Sequence, residues 1–155
     1  MFESRLEKRN ITLEGLDSEP VQVWGDPDLI GQVIYNLFEN ATKFVNTGGT
    51  ITFTFKDEPN NTSIAIRNTG AGISKEELPK IFERFYKSDD SRSHDKTGLG
   101  IGLDITKHIV RLHKAQISVS SEEGEYTEFL IRLPKKDAPA ESPTENPEKQ
   151  PKDAR

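Results

Sequence analysis

Cysteine is absent from the 155 residues, which removes a disulfide framework, a thiolate zinc site, an iron–sulfur cluster and cysteine nucleophile chemistry. Long apolar runs are missing too. No stretch approaches the roughly 18 residues of a membrane span, and the opening Met1-Phe-Glu-Ser-Arg-Leu-Glu-Lys-Arg9 is charged rather than a signal peptide. A soluble fragment in a reducing, cytoplasmic setting is expected. Positive charge is in deficit, with 21 Lys+Arg against 26 Asp+Glu and a net charge of −5, which opposes non-specific binding to a phosphate backbone. Nucleic acid is not an expected partner, whereas a local pocket for a small phosphate ligand is compatible with this balance. At 32% hydrophobic residues the chain is long enough for one domain and too short for two sizeable cores.

Composition breaks at Pro134. Residues 135–155 hold five positive and five negative charges, prolines at 139, 143, 147 and 151, and no aromatic or branched apolar residue. Such a segment cannot bury enough surface to repay its ordering entropy, and a disordered tail or linker is expected. Residues 1–9 read as an N-terminal flank and residues 10–134 as the folded domain. Within it, Ile11–Glu14 and Val21–Trp24 alternate as short strands. Asp26-Pro27 supplies an N-cap carboxylate and a first-turn proline. From Asp28 to about Val45, Ile30, Val33, Ile34, Leu37, Phe38, Ala41, Phe44 and Val45 then recur at helical spacing. Thr50–Lys56 and Ser63–Arg67 alternate as a hairpin across a turn containing Pro59. Ser74 with Glu77 forms a capping box for a helix to about Arg84. The aperiodic stretch from Tyr86 to Gly100 has the length of a functional loop and is expected to be a mobile lid. A helix follows from Ile101 to about His113, with Ile101, Ile105, Ile109 and Leu112 on one stripe, and Gln116–Ser120 and Thr127–Leu133 close the chain as a hairpin. This order predicts an antiparallel or mixed sheet with helices packed on one face.

At about 100° per residue, Asn36, Asn40 and Lys43 lie within roughly 60° of one another on the long helix, with Gln32 nearby. Such a stripe is either the solvated back of an amphipathic helix or a site. Asparagine is a poor helix former, so two of them one turn apart point to a use for their amides. Neutral oxygens beside an ammonium suit a metal–phosphate ligand, because Mg²⁺ takes few protein oxygens and shares the phosphates. Two glycine-rich segments offer phosphate-binding backbone: Asn68-Thr-Gly70-Ala-Gly72 after a strand, and Thr97-Gly98-Leu-Gly100-Ile-Gly102 opening a helix. Each alone is an ordinary turn, and neither is a Walker loop or a dinucleotide fingerprint. Their conjunction with the Asn/Lys helix is what carries the reading.

In this combination the sequence resembles the sensor histidine kinases of two-component systems. Asn36-Leu-Phe-Glu-Asn40-Ala-Thr-Lys43-Phe44 resembles their N box, and Asn68-Thr-Gly-Ala-Gly72-Ile73 their first glycine box. Ile81-Phe-Glu-Arg-Phe85-Tyr86-Lys87 resembles the F box, and Thr97-Gly-Leu99-Gly-Ile101-Gly102 the second glycine box. Gly124-Glu-Tyr-Thr127-Glu-Phe129 is similar to the last motif of the domain. The resemblance covers residues 10–134 and implies the Bergerat fold, shared with type II topoisomerases, 90 kDa heat-shock chaperones and mismatch-repair ATPases. That fold is an α/β (α+β) sandwich: a mixed, mostly antiparallel sheet of about five strands, three main helices on one face, and an ATP lid.

The resemblance also implies cofactors and roles. Asn40, helped by Asn36, would hold Mg²⁺ on ATP; Lys43 and Lys87 would meet the phosphates; Phe44 would border the adenine, and Ile73 and Tyr86 would belong to the same pocket. Asn68 would accept from the adenine amino group with Thr127 beside it, Gly70 and Gly72 would let the chain pass the base, and Thr97, Gly98, Leu99, Gly100, Ile101 and Gly102 would shape the phosphate-side lid. Asn36, Asn40 and Lys43 would form the catalytic set.

Some positions depart from the family. Asn68 stands where aspartate is usual, Lys87 where arginine is common, Glu125 where glycine is usual, and His113-Lys-Ala115 where glycines often precede a strand. Hydrolytic relatives carry a water-activating glutamate at the position of Asn36, and an amide cannot take that proton. Glu39 points about 60° off the stripe and reads as a surface or outlying carboxylate.

The implied reaction is transfer of the γ-phosphate to a histidine on a dimerisation helical hairpin, for relay to a response-regulator receiver domain. His94-Asp95 lies in the lid and is not expected to be the acceptor, and His108 and His113 read as surface or cap residues. The fragment is expected to be a monomer that binds ATP and ADP but does not autophosphorylate. Its flank would be the end of a linker from that hairpin, in a parent that is soluble or a membrane-bound sensor. Two alternatives stay open: a stand-alone Bergerat-fold serine kinase of the anti-sigma-factor type, and a nucleotide-binding module that transfers nothing.

Overall fold

The computed structural model describes residues 2–82 and 98–135. Five strands form one sheet: β1 (Thr12–Glu14), β2 (Thr50–Asp57), β3 (Asn61–Thr69), β4 (Gln116–Glu122) and β5 (Tyr126–Pro134), in the order β1-β2-β3-β5-β4. Only β1 and β2 run parallel, joined by a helical crossover; the other neighbours are antiparallel. Three α-helices accompany them among the described residues: α1 (Phe2–Lys8), α2 (Pro27–Phe44) and α3 (Gly98–Leu112). This is the expected mixed sheet with helices on one face.

Register explains which face is covered. Phe55, Ile64, Ile131 and Ile117 stand in one row across four strands, and Phe53, Ile66, Phe129 and Val119 in the next. These rows meet Val33, Leu37 and Ala41 of α2 and Leu103, Ile109 and Val110 of α3 in a single core. Each fully buried branched side chain contributes roughly 1.5–3 kcal/mol. The opposite face carries ion pairs, Arg67–Glu128 at 3.5 Å and Arg132–Glu58 at 3.3 Å, with the Arg67 guanidinium 3.8 Å from the Tyr126 ring centre.

α2 forms for the reasons its sequence announces. Asp26 Oδ1 accepts from the Asp28 and Leu29 amides at 2.9 and 3.1 Å, and Pro27 occupies the first turn, where its missing N–H has no cost. Three expectations fail. Val21–Trp24 is not a strand: Val23 packs on the core instead, and the Gln22 carbonyl accepts from the Thr62 hydroxyl at 2.8 Å. No α-helix runs through residues 74–82. Ser74 Oγ does accept from the Glu77 amide at 3.3 Å, but Pro79 lacks an N–H and disfavours α geometry at Leu78, leaving a 3₁₀ turn at Leu78–Lys80. On α3, Ile105 and Leu112 are 45% and 60% exposed, while Leu103, Thr106, Ile109 and Val110 are buried. The inward stripe is therefore offset from the one anticipated.

The flank contributes to the fold as well, since Leu6 of α1 joins the core. Residues 83–97, with Phe85, Tyr86, Lys87, His94, Asp95 and Thr97, and residues 136–155 of the expected tail lie outside the described residues.

The end of α3 carries strain. The Ala115 amide donates to the Val110 carbonyl and the Lys114 amide to the Arg111 carbonyl, both at 3.0 Å, a closure that places Lys114 at φ 56°. Lys114→Gly is expected to stabilise the domain by about 0.5–1 kcal/mol, because glycine meets no steric penalty there. Urea denaturation measures this; an unchanged or lowered midpoint would mean that the lysine side chain contributes more than its backbone costs.

Candidate nucleotide-binding site

The third row across the sheet changes character. Ile51, Asn68, Thr127 and Ser121 stand side by side on β2, β3, β5 and β4, so three polar side chains follow two apolar rows on the covered face. Asn68 and Thr127 are 5% and 7% exposed. Burying such groups is unfavourable unless each finds a partner. The Asn68 Nδ2 donates to the Thr69 carbonyl at 2.9 Å, and the Ser121 hydroxyl donates to the Tyr126 carbonyl at 2.6 Å while accepting from the Ile73 amide at 2.8 Å.

Two glycines make the turn after β3 possible. Gly70 and Gly72 have φ of 145° and 76°. A Cβ at Gly70 would lie 2.5 Å from the Phe44 carbonyl oxygen, and one at Gly72 would lie 2.6 Å from the Glu122 carbonyl oxygen. Residues 70–73 are thus wedged between the end of α2 and the β4–β5 turn, where the Gly70 amide donates to the Glu125 carbonyl at 3.2 Å and the Gly124 amide to the Ala71 carbonyl at 2.6 Å. Only the backbone of residue 125 takes part in these bonds, and Gly124, at φ 84°, carries the left-handed turn.

The second wall is α2. Asn36 and Lys43 are half-buried and Asn40 is 7% exposed. The Gln32 Nε2 donates to Asn36 Oδ1 at 2.9 Å, and Asn36 Nδ2 donates to the Thr106 hydroxyl of α3 at 3.1 Å. Beyond the other end, the Asp26 amide donates to His113 Nε2 at 3.1 Å, and His113 Nδ1 stands 2.9 Å from the Ile109 carbonyl, making this residue the strut between the start of α2 and the end of α3. The two helices are therefore antiparallel. Following that antiparallel pairing one turn past the Asn36–Thr106 contact leads from Asn36 to Asn40 along α2 and from Thr106 back to Gly102 along α3, toward the end of α3 that carries the positive end of its dipole.

Asn40 Nδ2 is buried without a hydrogen-bond partner. A buried donor of this kind is unfavourable by about 1–3 kcal/mol, and an anionic oxygen would satisfy it. No group of three or more His, Cys, Asp or Glu residues able to hold a metal occurs among the described residues. A divalent cation would instead be shared between phosphate oxygens and the Asn40 carboxamide oxygen, with Asn36 adjacent, a donor set that fits Mg²⁺.

Several contributors escaped sequence reasoning. Arg5 Nη1 donates to the Thr42 hydroxyl at 2.9 Å; Arg9 donates to the Thr42 carbonyl at 2.7 Å and to the Val45 carbonyl. Arg9 thus caps two C-terminal carbonyls of the helix bearing Asn40 and Lys43, where the dipole favours a cation, and Arg5 holds a side chain of the same last turn. Ser121 and Thr106 were equally hidden, each an ordinary polar residue in an alternating or helical pattern. The family positions Tyr86, Lys87 and Thr97 fall outside the described residues. Arg9→Met keeps the aliphatic stem but removes both charged hydrogen bonds, and a loss of about 1.5–3 kcal/mol in urea denaturation is expected. A change below about 0.5 kcal/mol, the ordinary surface range, would show that Arg9 does not clamp α2.

Comparison with known proteins agrees with this geometry. Residues 25–137 match the family model described as histidine kinase-, DNA gyrase B-, and HSP90-like ATPase. The chain is 41% identical over 115 residues to the sensor protein SrrB of Staphylococcus aureus, covering 74% of this chain but 20% of that protein, so it spans about a fifth of such a relative. Among solved structures, the catalytic domain of histidine kinase ThkA superposes with a TM-score of 0.72 at 30% identity, over 86% of each chain. The mycobacterial sensor histidine kinase MprB gives 0.68 at 29%, over 85% of this chain and 89% of that one. With the family model matching more than half of its length, and a histidine kinase catalytic domain superposing over nearly all of it, the chain belongs to the histidine kinase-, DNA gyrase B- and HSP90-like ATPase family, among its histidine kinase catalytic domains.

Proposed function

We propose that this domain binds Mg-ATP between the Asn68–Thr127 row, the Gly70–Ile73 turn, α2 and the start of α3, and donates the γ-phosphate to a histidine on a dimerisation hairpin of a longer kinase. A response-regulator aspartate is the onward acceptor. The observation that carries the reading is Asn40: a buried carboxamide with an unsatisfied donor, on the same helix as Lys43 and one turn from the Asn36 that contacts α3. Phosphoryl transfer needs positioning and neutralisation of charge more than covalent chemistry. When bound, Mg²⁺ supplies charge neutralisation at the phosphates; the chain supplies Asn40 and Asn36 amides, the Lys43 ammonium and the helix terminus. Adenine lies against Phe44 with its amino group toward Asn68 and Thr127.

Transfer rather than hydrolysis follows from Asn36. Its amide links Gln32 to Thr106 and cannot deprotonate water, so no general base stands one turn before Asn40.

Calorimetric titration with ADP, in Mg²⁺ and in chelator, tests the pocket. One-site binding strengthened by Mg²⁺ is expected, and Asn40→Ala should remove the Mg²⁺-dependent gain while leaving the circular dichroism spectrum unchanged. Equal affinity of the variant in Mg²⁺ would sink the metal assignment. Transfer is tested by supplying the hairpin in trans with labelled ATP: an acid-labile phosphate on histidine is expected, whereas an acid-stable one would point to a serine kinase.

A further inference from the structure

The polar row holds a residue to which neither the sequence motifs nor the proposed pocket gives a role. Ser121 stands beside Thr127 on the outer strand of the row, one position removed from where a base would lie. Its hydroxyl has one proton, committed to the Tyr126 carbonyl at 2.6 Å, and its oxygen already accepts from the Ile73 amide at 2.8 Å. The Thr127 hydroxyl lies 3.3 Å from that same oxygen. Since Ser121 has no second proton to give, Thr127 is the donor of this contact. Its own proton is then directed away from the pocket, and only its lone pairs remain for a ligand. Asn68 is arranged to the same effect, because its Nδ2 is held by the Thr69 carbonyl while its Oδ1 makes no hydrogen bond among the described residues.

We infer that Ser121 is a positioning and specificity-determining residue: by fixing the direction of the Thr127 proton it makes the Asn68–Thr127 pair an acceptor-only surface that takes a 6-amino purine and rejects a 6-keto one. This rests on the nucleotide reading of the pocket. A 6-amino group brings two N–H donors to two acceptors. A 6-keto oxygen brings lone pairs against lone pairs, and accommodating it requires turning the Asn68 amide off the Thr69 carbonyl or the Thr127 hydroxyl off Ser121. With a neutral amide at position 68, discrimination falls to the hydrogen-bond directions that Ser121 and the Thr69 carbonyl impose. Ser121 also anchors the Ile73 amide, so it holds the turn and the proton direction with one oxygen.

The experiment compares ADP with inosine diphosphate, which differs at the 6-position and in the adjoining ring N–H, by calorimetry in Mg²⁺ on the whole chain. The natural protein should bind ADP at least about tenfold more tightly, the worth of roughly one hydrogen bond or more. Ser121→Ala frees the Thr127 hydroxyl to rotate, and the ratio should fall at least about fivefold. In a Thr127→Val background the same change should leave the ratio unmoved, because the relay is already gone. A merely structural role would weaken both ligands equally and preserve the ratio, which overturns the inference. So does equal binding of the two ligands by the natural protein, a measurement that needs no variant to fold. Binding of neither ligand removes the nucleotide reading itself and this inference with it, an outcome distinct from an unchanged ratio with ADP still bound.

Discussion

The junction between the end of α2 and the end of β3 is the constraint on which the pocket depends. Val45 bridges Gly70, the Asn46 amide donates to the Thr69 carbonyl at 3.3 Å, and Phe44 approaches so closely that residue 70 has no room for a side chain. The Thr69 hydroxyl donates to Asn46 Oδ1 at 2.5 Å and accepts from the Thr50 amide at 3.0 Å, which ties in the first residue of β2. One wall of the site is a helix and the other a sheet, and this is where they are joined. Any loosening here would change the distance between the amides of α2 and the polar row. Two arginines of the N-terminal flank act on the same joint from outside, Arg9 holding the Thr42 and Val45 carbonyls and Arg5 the Thr42 hydroxyl.

Stability and binding oppose each other within this frame. The covered face of the sheet is apolar for two rows and polar for the third, and on α2 the buried Leu37 and Ala41 share the helix with the buried Asn40. An apolar residue at position 40 would remove the unsatisfied donor and stabilise the empty domain. The core around it is extensive enough to carry the penalty. A ligand that satisfies Asn40 also returns stability by mass action, since it binds the folded state alone. Occupancy of the pocket and rigidity of the joint are thereby linked.

Much of this was legible in the sequence, and the failures have physical causes. α2 was readable because its cap, its first-turn proline and its apolar period agree. Alternation at Val21–Trp24 reported a segment with one buried side but could not report that no strand lies beside it. The helix expected from Ser74 had a sound start and was stopped by Pro79 five residues on. On α3 the glycines at 98, 100 and 102 carry no information about which face is inward, and the spacing of Ile101, Ile105, Ile109 and Leu112 does not single out the buried Leu103 and Thr106. Asn36, Asn40, Asn68 and the two glycine boxes stood out because their residue types are unfavourable in regular structure without a further reason. Arg5, Arg9 and Ser121 are common residue types at ordinary positions, and their roles arise only from partners 33 to 48 residues away.

Asn36 shows how such a long-range partner bears on chemistry. It lies on the stripe with Asn40 and Lys43, yet its Oδ1 accepts from Gln32 and its Nδ2 donates to Thr106, so it is part of the bridge that sets the spacing of α2 and α3. A carboxylate at this position could still accept from Gln32 and from the Thr106 hydroxyl, so the antiparallel pairing does not itself require an amide. What the amide changes is proton affinity: the helix spacing is kept while the group one turn from Asn40 cannot act as a base toward water. On the proposed reading this leaves a phosphoryl group beside Asn40 and Lys43 waiting for a nucleophile brought by another domain.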